Sequence, residues 1–275
     1  MNAPSHRGTP SYWSGKVALV AGGSSGLGRA IAVELARQGA RVAIAARGSS
    51  GIDATLEKMR AAGAEVLGIA ADVTRQDDVD RLIDETVTQF GRLDVLVNAV
   101  GRSARGAALA TTPEEFAAML ELNLMATVRV TAGAGPHLLR SRGHLINIGS
   151  LAAKFAGRYM GGYSASKFAL AGYTQQLRLE LADDGLKVLL VCPGPIVRDE
   201  VRQYETTDRA LPASANRPGA GIRVRGMAAD DVARRVLRAA RHDRAELVLP
   251  ARARLVFVAA AISPRLGYWL VRKLT

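Results

Sequence analysis

The sequence predicts an α/β protein: a doubly wound parallel sheet of about seven strands with helices on both faces. Three observations predict it. Short apolar runs recur along the chain, and each is followed by a longer amphipathic stretch. The runs are continuously apolar rather than alternating, the pattern of strands covered on both faces. The first run also passes through a glycine-rich turn directly into a helical pattern. Alternating strands and helices imply right-handed crossovers and a parallel sheet. With 275 residues the chain can bury a sizeable core without staples. No linker breaks it, so a single domain over 1–275 is expected.

The first strand, Lys16–Ala21, leads into Gly22-Gly23-Ser24-Ser25-Gly26-Leu27-Gly28 and a helix over Gly26–Gln38. Glycines at a strand-to-helix turn let backbone approach a pyrophosphate, and the helix N-terminus supplies N–H groups and positive potential. The same turn spells G-x-S-x-G, the pattern of a hydrolase nucleophile elbow at Ser24. That rival needs a histidine base, and none of His137, His144 and His242 has a setting that suggests one. The second strand, Arg41–Ala46, ends at Arg47. An acidic residue near this point holds ribose hydroxyls, whereas a small residue followed by arginine suits a 2′-phosphate, which points to NADP(H). A helix over Gly51–Ala62 follows, then a third strand, Glu65–Ala70, and Asp72-Val73, where a carboxylate can accept from an adenine amine.

A helix over Gln76–Phe90, a fourth strand, Leu93–Asn98, and one long helix over Pro113–Leu139 come next. The fifth strand, His144–Ile148, runs to Ser150. Thirteen residues on, Tyr163 and Lys167 open a helix over Tyr163–Asp183, and their i,i+4 spacing puts both on one face. A free tyrosine has a pKa of ~10, and a nearby ammonium lowers it, so the pair can move a proton at a carbonyl or alcohol oxygen. Ser150, at a strand end on the ligand-binding edge, can donate to the same oxygen. Tyr12 and Lys16 repeat the spacing, but Gly15 argues against a helix there. The sixth strand, Lys187–Cys192, is followed by Pro193-Gly194-Pro195-Ile196 and a Pro-, Gly- and Arg-rich stretch to Met227, expected to be a substrate lid at about 198–227. A helix over Asp230–Arg241, a seventh strand, Glu246–Leu249, and an extension at about 251–275 complete the chain.

Composition narrows the function classes. A lone cysteine, Cys192, builds no intrachain disulfide or cysteine-ligated metal centre and suits a reducing, cytoplasmic setting. No histidine pair reads as a metal site, and no run of 18 apolar residues appears. No secretory signal is expected, because the first fourteen residues lack an apolar stretch. The net charge is +12, with 16 Lys and Arg against 8 Asp and Glu from Arg198 onward. Few aromatics and no nucleic-acid motif accompany these cations, so nucleic acid is not an expected partner. The extension mixes apolar residues, Tyr268, Trp269 and cations. Such a helix can seat on a membrane surface, or it can pack on the body or across a dimer.

Gly22-x-x-x-Gly26-x-Gly28, Asp72, Asn98, Asn123, Ser150, Tyr163-x-x-x-Lys167 and Pro193-Gly194 resemble, in order and spacing, the short-chain dehydrogenase/reductase family. The likeness covers about Lys16 to Ile196 and loosely extends to Pro250. Ser150–Ala153 and Tyr163–Leu170 are similar to hydroxysteroid-type members. The resemblance implies a Rossmann-type sheet and hydride transfer between NADP(H) and a small carbonyl or secondary alcohol. By the same resemblance Tyr163 is the acid/base, and Lys167 binds the nicotinamide ribose and lowers the tyrosine pKa. Ser150 holds the substrate oxygen and Asn123 keeps a relay water. Gly22, Ser24, Ser25, Gly26, Leu27, Gly28, Arg47, Asp72, Val73, Asn98, Gly101, Pro193, Gly194 and Ile196 line the cofactor, with no metal. Three departures stand out. Asn98-Ala99-Val100-Gly101 lacks the family's second asparagine, Arg198 stands where threonine is common, and the extension replaces the short glycine-rich tail of many tetrameric members. A homo-oligomer is expected, a dimer rather than a tetramer. A catalytically idle NADP(H) sensor or scaffold is the reading from another class.

Overall fold

The computed structural model describes residues 10–197, 211–212, 215 and 225–274. Seven parallel strands form a sheet: β1 (Val17–Ala21), β2 (Arg41–Ala46), β3 (Val66–Ala70), β4 (Val95–Asn98), β5 (His144–Ile148), β6 (Lys187–Pro193) and β7 (Glu246–Leu249). Their order is β3-β2-β1-β4-β5-β6-β7. The chain therefore winds outward in one direction from β1 and then in the other from β4. The crevice at the C-terminal ends of β1 and β4 is the switch point where such sheets bind ligands.

The helices are α1 (Gly26–Arg37), α2 (Ser49–Arg60), α3 (Gln76–Phe90), α4 (Pro113–Leu120), α5 (Ala126–Ser141), α6 (Tyr163–Glu180), α7 (Ala229–Arg241), α8 (Ala253–Ile262) and α9 (Pro264–Leu274). All five residues of β1 are buried, yet they divide by pleat. Ala18 and Val20 join the core made with α1, α2 and α7, through Ile31, Leu35, Leu56 and Val236. Val17, Leu19 and Ala21 join the core made with α3 and α5, through Leu82, Ile83 and Val130. A strand with two apolar faces cannot show alternation in its sequence, because both sets of side chains need cover.

One helix departs from the sequence reading. The stretch expected as a single helix over Pro113–Leu139 is broken into α4, a π-helical turn at Glu121–Met125, and α5. The start of α4 follows local chemistry. Pro113 occupies the first turn, the Thr112 hydroxyl accepts from the Glu115 N–H, and the Glu115 carboxylate accepts from the Thr112 N–H. The π turn has a tertiary cause, given below. The second helix also starts earlier than Gly51, at Ser49, because Gly48 is extended and serves as the N-cap.

The expected lid at about 198–227 lies mainly outside the described residues, as does Arg198. Its two ends meet: the Val197 N–H donates to the Met227 carbonyl at 2.9 Å, and the Met227 N–H donates to Pro195 at 3.0 Å. The extension forms two helices, α8 and α9, joined closely enough that a Cβ on Gly267 would lie 2.6 Å from the Ala260 Cβ. Among the described residues no helix is long and apolar enough to cross a membrane, and no group of three metal-ligating side chains forms.

Candidate active site

The turn after β1 is shaped for close backbone approach. Gly22 has φ +84° and Gly26 has φ +53°, conformations that favour glycine. A Cβ on Gly28 would lie 2.1 Å from the Gly22 carbonyl oxygen, so α1 can seat against the turn only with glycine there. Ser25, the N-cap of α1, is extended and makes no side-chain cap hydrogen bond. The first N–H groups of α1 are thus not capped by the Ser25 side chain. A pyrophosphate fits a cradle of this kind by hydrogen bonding and by the helix dipole.

Arg47 and Asp72 follow the paired ends of β2 and β3, where Ala46 stands opposite Ala70. Arg47 is exposed. The Asp72 carboxyl lies below its ordinary range. Burial pushes it up, but hydrogen bonds from the Thr74 hydroxyl and N–H, together with the Arg47 charge, outweigh burial. It therefore stays anionic, an acceptor beside a cation. Val73 is buried against the α3 side of the sheet.

Asn98, the last residue of β4, sits opposite Asn147 of β5. Its amide donates to Asn147 Oδ1 at 2.9 Å and to Thr131 Oγ1 at 3.1 Å, and Asn147 donates to Thr174 on α6 at 3.0 Å. This buried ladder ties the two central strands to α5 and α6. Gly101, just beyond, allows two site residues to approach: a Cβ there would lie 2.7 Å from Asn123 Oδ1 and 3.4 Å from Lys167 Nζ.

Asn123 explains the π turn. It is fully buried, accepts from the Arg102 N–H at 2.9 Å, and donates to the Arg102 carbonyl at 3.0 Å and to Ser166 Oγ at 2.9 Å. The widened turn aims this one side chain into the β4–α4 loop and α6, and π turns are frequent at functional sites for this reason. Tyr163 opens α6, packs with Ala152 and Met160, and accepts from the Ser166 hydroxyl through its carbonyl at 2.7 Å. Lys167, one turn on, is 4% exposed and donates to the Ile148 carbonyl at 2.9 Å. Desolvation brings its pKa down from 10.5 to about 8. Ser150, two residues beyond Ile148, accepts from the Ala152 N–H at 3.1 Å and caps the short turn Leu151–Ala153. Ser150, Tyr163, Lys167 and Asn123 thus gather at the C-terminal ends of β4 and β5.

Pro193 closes β6, and the Gly194 N–H donates to the Leu249 carbonyl at 2.7 Å. Ile196 forms an isolated parallel bridge with Met227. Sequence reasoning missed two contributors. Ser166 links Asn123 to the Tyr163 backbone, and its i+3 spacing from Tyr163 was the available signal. Arg105 is 4% exposed, and its guanidinium donates to Ala215 at 2.7 Å, to Ser103 Oγ and to Ala104. No local pattern marks it. The hydrolase alternative at Ser24 gains no base from His144. His144 begins β5, at the sheet edge opposite Ser24, and its Nε2 bonds Tyr12 at 2.9 Å.

A glycine cradle at the switch point, with a tyrosine–lysine pair on the helix that follows β5, defines a class: nucleotide-binding α/β oxidoreductases. Comparison with known proteins gives the family. The chain belongs to the short chain dehydrogenase family, whose model matches residues 16–209. It is similar to the 3-oxoacyl-(acyl-carrier-protein) reductase of Synechocystis, 36% identical over 186 residues, covering 67% of this chain and 75% of that protein. It is equally similar to the reductase of the same name from Staphylococcus epidermidis, 36% identical over 67% of this chain and 76% of that one. Among solved structures, a short chain dehydrogenase/reductase from Burkholderia phymatum in complex with NAD superposes with a TM-score of 0.82. It is 27% identical, covering 92% of this chain and 95% of that one. The chain is therefore a Rossmann-like oxidoreductase of the NAD(P)-binding kind.

Proposed function

We propose that the protein is an NADP(H)-dependent reductase that moves a hydride between nicotinamide and a carbonyl or secondary alcohol, with Tyr163 as the acid/base. The observation that carries this reading is the buried Lys167, held by the Ile148 carbonyl one helical turn from Tyr163 and beside Asn123. The cofactor residues present fit the group: the Gly22–Gly28 cradle for the pyrophosphate, Arg47 for a 2′-phosphate, Asp72 and Val73 for adenine, Asn98 and Gly101 for the ribose side, and Pro193, Gly194 and Ile196 for the carboxamide. When bound, the nicotinamide supplies or accepts the hydride. In the reductive direction Ser150 orients the carbonyl oxygen, and Tyr163 donates the proton that the developing alkoxide needs. The Lys167 ammonium stabilises the phenolate left behind. Asn123, through its bonds to Arg102 and Ser166, holds the widened turn open for a relay water.

Arg47 in place of an acid supports NADP(H), although the Burkholderia neighbour was solved with NAD. Two named relatives are 3-oxoacyl reductases, so a 3-oxoacyl thioester is the first carbonyl to test, beside apolar ketones of the hydroxysteroid type. Exposed Phe168 and Leu179 on α6 support a homo-oligomer, and a dimer fits a chain whose C-terminus is occupied by α8 and α9. We place it in a reducing compartment such as the cytoplasm, as one catalytic domain. The test is NADPH consumption across a carbonyl panel. Turnover that Tyr163→Phe abolishes supports the reductase, whereas NADPH binding without turnover on any carbonyl supports the idle-sensor alternative.

A further inference from the structure

The reductase reading leaves the outer surface of α8 and α9 without a task. Their inner side is accounted for: on α8, Ala253 and Phe257 pack on Ala153, Cys192 and Val248, and α9 approaches α8 at Gly267 and Ala260. Their outer side is not. Leu255, Val258 and Ile262 recur at spacings of three and four, one stripe of α8, and are 74%, 56% and 79% exposed. On α9, Leu266, Tyr268 and Trp269 are 44%, 65% and 52% exposed. Single exposed apolar residues are ordinary. Six on two adjoining helices form a patch of the kind that marks an interaction surface.

Charge selects the occupant. Arg252, Arg254, Arg265, Arg272 and Lys273 are all exposed, and no Asp or Glu occurs from Leu247 to Thr275. The preceding acid, Glu246, is engaged by Lys154 at 2.5 Å. A second copy docking by two-fold symmetry would press this patch on itself and bring like charges together. An anionic bilayer satisfies both parts of the surface at once: headgroups take the cations, and the acyl boundary takes the apolar stripe. Lys273 Nζ lies 4.1 Å over the Trp269 ring, so an amphipathic aromatic sits where the apolar and charged parts meet, as at membrane interfaces. Helices of 10 and 11 residues are too short to span, so contact is peripheral. We propose that the α8–α9 surface docks the protein on an anionic lipid bilayer. The Tyr268 ring meets Phe155, with centroids 6.3 Å apart, on the segment that follows Ser150. The docked face therefore adjoins the catalytic edge.

The experiment uses the full chain and phosphatidylcholine vesicles with or without phosphatidylglycerol, and it needs no turnover, so it stands apart from the reductase reading. Co-sedimentation is expected to be at least about tenfold stronger with phosphatidylglycerol and to weaken with salt. Trp13 is 1% exposed, so a blue shift of tryptophan fluorescence on binding reports Trp269, and Trp269→Phe should remove it. Arg265→Glu with Arg272→Glu, and separately Leu255→Glu with Ile262→Glu, should each abolish sedimentation while leaving thermal unfolding and NADPH binding unchanged. A full chain that stays in the supernatant with no blue shift overturns the proposal. So does self-association that these variants disrupt while vesicles go unbound, which would make the patch an interface between copies.

Discussion

In the proposed reaction Tyr163 is the residue on which the chemistry turns, and Lys167 sets its working range. Tyr163→Phe removes the ionisable oxygen and keeps the ring against Ala152. Turnover is expected to fall at least about a hundredfold, the scale of general acid–base catalysis, while the NADPH Kd measured by titration stays the same. The lysine carries a pH prediction. Its ammonium persists below about 8 and is lost above it, because burial disfavours the charge. Reductive kcat/KM should therefore decline as pH rises through about 8, an apparent value that belongs to the Tyr163–Lys167 pair. Stability changes in the opposite sense. The unfolded lysine keeps its proton up to 10.5, so between about 8 and 10.5 the folded state binds fewer protons and unfolding becomes harder as pH rises. Lys167→Arg, always charged, should move the alkaline decline away from about 8 and leave only the tyrosine's own titration, and a wild-type profile flat to pH 10 would contradict this assignment. At this scale the placement of Ser150, Tyr163 and Lys167 around the end of β5 was legible, because an apolar strand run ends just before Ser150 and a helical pattern opens at Tyr163. Arg105 was not, because its partner Ala215 is 110 residues away.

The elements show where local pattern stops carrying information. All seven strands were legible as apolar runs, and α1 as the helix after a glycine turn. The break between α4 and α5 was not, since the apolar spacing continues through Glu121–Met125 and the bonds of Asn123 to Arg102 and Ser166 are made across 21 and 43 residues of sequence. Asn123→Ala removes its bonds to the Arg102 backbone and to Ser166 Oγ and is expected to cost about 1–3 kcal/mol in chemical unfolding, along with a drop in kcat. An unchanged denaturation midpoint would count against this cause of the turn. The glycine cradle makes a second prediction. Gly28→Ala puts a methyl into the Gly22 carbonyl and should destabilise by about 1–3 kcal/mol, with a rise in the NADPH Kd that a merely tight turn elsewhere would not produce.

For the whole molecule, sheet order, cradle and catalytic pair converge on one edge. In the proposed complex the adenosine end would lie past β2 and β3, and the reacting end past β4, β5 and β6. That division makes cofactor choice separable from catalysis. Arg47→Ala should raise the NADPH Kd about fivefold, roughly the 1 kcal/mol of an exposed ion pair, and leave the NADH Kd unmoved. Equal affinity for both cofactors in the unaltered protein would remove the basis for NADP(H) preference. The central claim is Tyr163-assisted hydride transfer to a carbonyl, and deuterium tests it most directly. The protein is incubated with NADPH deuterated on the transferring face of the nicotinamide and with a panel of carbonyls that includes a 3-oxoacyl thioester, and the products are read by mass spectrometry. The predicted result is an alcohol that carries the deuterium with the wild type and is absent with Tyr163→Phe. An alcohol without the label, or one formed equally well by Tyr163→Phe, would contradict it.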